Sequence, residues 1–193
     1  QLYKTVATEG NNQLDSSFMH MLSDFRIKLA NKLIEQNSAI INSDLILNYY
    51  VQVILDRIIF IRVCESKEIE EHEKLKSFLS DKQGFWNSFK KSCYMEFYNH
   101  YDGAMFQRDE LFQKLDIDNE VFTQFINGLY YPCPYRFNVI PVKVIANIYE
   151  EFLGKQIILK DGRIEEITKS EYIKTNGAVC TPEHIVEMVC KQT

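Results

Sequence analysis

Three groups of residues have types and spacings that chemistry can use. The first is Asp56 with Glu65-Ser66-Lys67, two carboxylates near a lysine. Such a set binds Mg²⁺ and activates water when its side chains converge, as they do from adjacent strands. Here the surrounding apolar run has a helical period, which separates the two carboxylates by more than two turns of one rod, about 13 Å of rise. A nuclease-type centre is therefore not expected there, and no metal site is assigned. The second group is Asn176-Gly177-Ala178-Val179-Cys180-Thr181-Pro182, followed by Glu183 to Val189. It reads as a turn, a few apolar residues, and a helix with Thr181 near its N-cap and Pro182 near its first position. Free N–H groups at such a helix start offer a place for a carboxylate. The plainer reading is a cap that stabilises the helix by about 1 kcal/mol. The third group is basic: Lys155, Lys160, Arg163, Lys169 and Lys174, strung along one short segment. It can track a phosphate strand, or it is a solvated ribbon whose field Glu165, Glu166 and Glu171 cancel. Lys28 with Lys32, and Lys82 with Lys90 and Lys91, are sparser sets of the same kind.

The elements that must position these groups are mostly helical. Residues 1–14 are polar and aperiodic and predict a flexible tail. After Asp15-Ser16-Ser17, Phe18, Leu22, Phe25, Leu29 and Leu33 recur at steps of three and four, one buried helical face. Ser43-Asp44 can cap a second helix whose polar residues Asn48, Gln52 and Asp56 repeat every four, leaving Ile46, Tyr50, Val53, Ile54, Ile58 and Ile61 on wide apolar faces. That helix is expected at the centre. The glutamate-dense stretch 65–76 predicts solvated charge. Phe85, Trp86, Phe89, Tyr94, Phe97 and Tyr98 predict a packed aromatic cluster. Asp109 and Asp118 precede apolar runs and predict two further helices, and Tyr131-Pro132-Cys133-Pro134 ends the second of them. Val142, Ile145, Ala146, Tyr149 and Leu153 predict one more, between Pro141 and Gly154. The pattern then changes. Asp161-Gly162 between Gln156–Lys160 and Arg163–Thr168 suits a type I′ turn and predicts a small hairpin.

The fold expected is thus mainly all-α, a bundle of six or seven helices with a small β-hairpin near the C-terminus. Its parts are a tail (1–14), a helical domain (15–154), a ribbon (155–174) and a terminal segment (175–193). The 193 residues, 46% of them hydrophobic, suffice for a sizeable core. A net charge of −5 argues against a domain that holds nucleic acid by its overall field. Five cysteines without a CxxC pair, and four histidines that do not complete a zinc pattern with them, read as reduced thiols and point to the cytoplasm. No apolar run reaches the roughly 20 residues of a membrane-crossing helix. Gln1 at the start, and a helical pattern still running at the end, lead to the expectation of a segment from a longer protein.

Asn176–Val189 resembles the Gly-x-x-Tyr-Thr-Pro segment, motif X, of adenine-N6 DNA methyltransferases of the gamma class. Two further stretches fit the same family in the same order. Val51–Arg62 with Glu65 resembles the helix that precedes such methyltransferases in bacterial type IIG enzymes, which fuse restriction and modification in one chain. Asn138-Val139-Ile140-Pro141-Val142, then Ile148-Tyr149-Glu150-Glu151-Phe152-Leu153-Gly154, resembles the Ile-Pro-Val and Ile-Tyr-Glu-x-Phe-Leu-Gly elements of the same linker. The resemblance implies that Val179, Cys180, Thr181 and Pro182 edge an S-adenosylmethionine pocket, with Thr181 placed to meet the methionine carboxylate. Cys180 stands where the family has Tyr, which removes a ring from the pocket wall. The family's Gly-rich loop and Asn-Pro-Pro-Tyr tetrad do not occur in this chain, so it is not expected to methylate DNA, or to bind the cofactor, alone.

The resemblance therefore implies a spacer between a methyltransferase and a possible nuclease, with DNA as the whole protein's partner. Ile185, Val186 and Val189 would be left bare in the isolated segment and are expected to drive self-association. The reading from another class is a stand-alone helical module that binds a protein partner.

Overall fold

The five apolar residues spaced along the first helix are all buried, with 3% or less of their surface exposed. This places α1 (Leu2–Gln36) against the core along its second half. The structure, a computed structural model, describes residues 2–101, 104–132, 137, 154–161 and 163–168, with side chains from residue 17 onward. The helical backbone of α1 extends back through residues 2–14, where a tail was expected. No proline precedes Pro132, so nothing in this stretch forbids continued helix.

Asn37 ends α1 with a reciprocal pair of hydrogen bonds. Its Nδ2 donates to the Asp116 carbonyl at 2.7 Å, and its Oδ1 accepts from the Asp116 N–H at 2.8 Å. Ser43 then caps α2 (Asp44–Ser66), its hydroxyl accepting from the Ile46 N–H at 3.3 Å. Leu47, Tyr50, Val51, Ile54, Leu55, Ile58, Ile59 and Ile61 are buried on more than one face, as befits a central helix. The neighbours of α2 include α1, the short α3 (Lys74–Leu79) and a 3₁₀ turn at Ala104–Phe106.

α4 (Gly84–Ser92) passes through a π-helical turn, Cys93–Phe97, into α5 (Tyr98–His100). Phe85, Trp86, Phe89, Cys93 and Phe97 share its buried face. Tyr94 and Tyr98, expected in the same cluster, lie one residue further round the helix; Tyr94 is half-buried and Tyr98 is 40% exposed. Gly84 has φ +78°, and a side chain there would run into Asn119, whose Oδ1 accepts from the Trp86 N–H at 2.8 Å. Asp109 caps α6 (Glu110–Lys114) through bonds from the Leu111 and Phe112 N–H groups. α7 (Glu120–Gly128) closes the aromatic core: Phe122 stacks on Phe85 and Trp86, and Phe125 stacks on Phe25 of α1.

The hairpin forms as expected. β1 (Lys155–Lys160) pairs antiparallel with β2 (Arg163–Thr168), Lys160 opposite Arg163, and Asp161 takes φ +51° as a type I′ turn requires. The molecule is thus mainly helical with a two-stranded antiparallel hairpin. The helix expected between Pro141 and Gly154 lies outside the described residues. No helix among those described is long and apolar enough to cross a membrane.

Candidate site at the hairpin and along the second helix

Alternation along the strands separates the basic residues of the ribbon. Lys155, Ile157 and Leu159 share a face with Thr168, Glu166 and Ile164, their cross-strand partners. That face meets the helices: Ile157 is fully buried and Ile164 packs on the core. Lys155 points inward with it, its Nζ 3.7 Å from a Glu166 carboxylate oxygen. Lys160 and Arg163 lie on the opposite face, both exposed and directly across from each other beside the turn. Glu165 is the nearest acidic residue on that outer face, one pair further along. Of the five candidates for a phosphate track, the structure therefore brings Lys160 and Arg163 together and turns Lys155 away. Lys169 and Lys174 lie outside the described residues, as do Val179, Cys180, Thr181, Pro182 and the apolar Ile185, Val186 and Val189.

The inner face of the hairpin is tied down by a set of polar contacts. Arg26 of α1 donates to Glu166 at 2.5 Å, and the Ser23 hydroxyl donates to the other oxygen of the same carboxylate at 3.1 Å. Arg26 is 2% exposed, and burial lowers its pKa against the pull of Glu166 and Asp56. A guanidinium desolvated to this degree needs its carboxylate close by. From α2, Asn48 Oδ1 accepts from the Ile157 N–H at 2.8 Å, and Asn48 Nδ2 donates to the Ile157 carbonyl at 2.6 Å. Asp44 accepts from the Leu159 N–H at 3.3 Å. Hairpin parity explains why these groups are available: with Lys160 and Arg163 as the hydrogen-bonded pair beside a two-residue turn, the N–H groups of Ile157 and Leu159 point away from β2. One turn beyond Asn48, Gln52 donates to Asp56 at 2.6 Å. The polar residues at every fourth position of α2 therefore form a seam that receives the hairpin and faces Arg26. Their spacing was visible in the sequence; the element they receive was not.

Asp56 and Glu65 do not converge. Asp56 belongs to this seam, whereas Glu65, one end of the charge-rich stretch expected in solvent, is 3% exposed. Its carboxylate accepts from the Tyr130 hydroxyl at 2.8 Å to each oxygen and from the Leu75 N–H at 3.0 Å, and lies 3.6 Å from Arg62. Arg62 in turn donates to the Leu129 carbonyl and lies over the rings of Tyr130 and Phe137. Burial raises the Glu65 carboxyl above its usual range, against the opposing hydrogen bonds from Leu75 and Tyr130 and the Arg62 charge. With its acceptor positions turned to the core, Glu65 organises the junction of α2, α3 and the end of α7. Among the described residues no three His, Cys, Asp or Glu side chains are grouped to hold a metal ion. Cys64 and Cys93 are buried free thiols.

Comparison with known proteins gives a likeness over nearly the whole chain. The chain is 30% identical, over 182 residues and 93% of its length, to the type II restriction enzyme and methyltransferase RM.Eco57I of Escherichia coli. It spans 18% of that protein's length. No protein-family model matches the chain. No solved structure matches it either.

Proposed function

We propose that this chain is the connector of a restriction-modification protein of the type IIG kind, holding an adenine-N6 DNA methyltransferase in fixed relation to a nuclease. In this reading DNA is the substrate of the whole protein and S-adenosylmethionine its methyl donor. The relative's name, a restriction enzyme and methyltransferase in one chain, supports the pairing of activities. The three ordered resemblances, ending at Asn176–Val189, support the place of the segment ahead of the cofactor domain.

The observation that carries a spacer role is the set of contacts that fasten the hairpin to α1 and α2. A flexible tether needs no such contacts. Here a buried arginine, a serine, an asparagine and an aspartate from two helices hold one strand pair, across sequence separations of 109 to 143 residues. The chain that leaves β2 toward motif X therefore departs from an anchored point. Val179, Cys180, Thr181 and Pro182 would edge the cofactor pocket, Thr181 meeting the methionine carboxylate. Lys160 and Arg163, exposed on the outer face, would meet phosphate near the methyltransferase entrance, joined by Lys169 and Lys174.

The test uses the whole protein. Sites of adenine methylation and positions of strand cleavage are mapped on the same duplex for the wild type and for Asn48→Ala combined with Glu166→Gln. A connector of fixed geometry predicts a narrow spread of cut positions relative to the methylated base in the wild type. The double variant should show a broader spread and retain methylation. An unchanged spread would eliminate the spacer role. Failure of the wild type to methylate adenine with S-adenosylmethionine would eliminate the family reading itself.

A further inference from the structure

Arg108 is exposed, yet it is held in place. Its guanidinium carbon lies 4.6 Å from the ring centre of Tyr94 and 4.2 Å from that of Tyr98, so one planar cation rests against two rings an α-turn's spacing apart. Among the described residues Arg108 makes no side-chain hydrogen bond or ion pair. In contrast, Arg26 and Arg62 face carboxylates, and Arg57 donates to two carbonyls.

The backbone that leads into Arg108 is held by a second, buried arginine. Arg57, 4% exposed, donates to the carbonyls of Met105 and Gln107, the residues leading into Arg108, and its guanidinium packs on Phe112 at 4.4 Å. No carboxylate of the described residues lies within ion-pair distance of it. Its neighbour Cys93 is a thiol whose pKa burial pushes up to about 12, so that group supplies no compensating charge. Asp109 acts on Arg57 electrostatically, and its oxygens accept from the α6 N–H groups and from the Tyr50 hydroxyl at 3.1 Å. Glu110 follows in the first turn of α6, where a helix dipole favours an acid. The Arg57 bonds fix the backbone that carries Arg108, and the two tyrosines fix its side chain.

We propose that Arg108, braced by Tyr94 and Tyr98 and carried on backbone that Arg57 holds, is a contact for a phosphodiester group of duplex DNA. A planar fork already ordered loses less freedom on pairing bidentately with phosphate than a loose lysine does. With the guanidinium over both rings, what the site presents is an ordered planar cation suited to phosphate. It reads the backbone and not the sequence. The inference rests on the DNA reading above and adds a contact on the helical body.

The test is titration of the isotopically labelled chain with two unrelated 20-base-pair duplexes at low salt, following the Nε–Hε resonance of each arginine. Arg108 should move saturably and alike with both duplexes. Arg108→Gln, checked by circular dichroism for an unchanged fold, should weaken binding several-fold and lower the slope of log K against log salt by about one. Arg108→Lys should keep the slope and bind more weakly than wild type. If Arg163 responds while Arg108 stays still, the inference fails and the DNA reading stands. If no arginine responds to either duplex, the inference fails, and the cleavage-mapping experiment decides the functional reading separately. If inorganic phosphate at equal phosphate concentration moves Arg108 as far as duplex does, the site is one for free anions and the inference fails.

Discussion

The two ends of α2 solve the same problem, joining distant parts of the chain, by different chemistry. At its N-terminal end Asp44 and Asn48 hold backbone groups of β1, and solvent reaches the edges of the contact. At its C-terminal end Glu65 and Arg62 hold Tyr130, Leu75 and Leu129 out of water. A buried carboxylate with three donors around it is costly to assemble and more costly to leave half-made. A neutral amide on a strand edge is weaker, and its loss remains local. The C-terminal junction therefore belongs to the folding unit, whereas the N-terminal one governs the position of a separable element.

Substitutions at the two ends should expose that difference. Glu65→Ala leaves Arg62 without its carboxylate and Tyr130 and the Leu75 N–H without an acceptor, and should destabilise the whole chain by about 3–5 kcal/mol; a thermal midpoint near wild type would contradict this. Glu166→Ala strips Arg26 of its closest carboxylate, for which we expect about 2 kcal/mol, seen in chemical denaturation. Asn48→Ala should cost about 1–2 kcal/mol and act locally: amide exchange of Ile157 quickens while that of the aromatic core is unchanged. Equal quickening in both places would erase the distinction between the two ends. The pH dependence should also divide. Burial holds the Glu65 carboxyl above its ordinary value of 4.5, so the folded state retains a proton that the unfolded state has lost. Stability therefore falls as pH rises from about 4.5 to the folded pKa, and Glu65→Gln should remove this part of the slope, measured by denaturation at several pH values. The smallest effect is at the hairpin tip: Lys160→Ala with Arg163→Ala should leave the thermal midpoint unchanged while weakening any DNA contact.

What the sequence made legible was local. The caps at Ser43 and Asp109, the strand pairing on either side of Asp161 and the buried stripe of Phe18 to Leu33 depend on residues a few positions apart, and each is present in the structure. What it concealed was long-range. Glu65 stands among glutamates, and only Tyr130, 65 positions later, makes its inward turn sensible. The polar repeat of α2 announced a seam but not Ile157, 109 positions from Asn48. Tyr94 and Tyr98 have the composition of core residues, and their one-residue rotation from the buried face became plain only with the packing of Phe97 and Arg108. Among the candidate site residues, strand alternation predicts that Lys155 and Lys160 take opposite faces. Which face meets the helices depends on Ile157 finding the core.

The Asn48 contact bears on solubility as well as on position. A two-stranded ribbon has open margins, and an open margin of unpaired N–H and C=O groups is a template on which strands from other molecules add. Along β1 that margin is occupied: Asn48 engages both backbone groups of Ile157, and Asp44 takes the next outward N–H at Leu159. One asparagine side chain, presenting an amide much as a neighbouring strand would, thus stands where the strand of a second copy would otherwise add to β1.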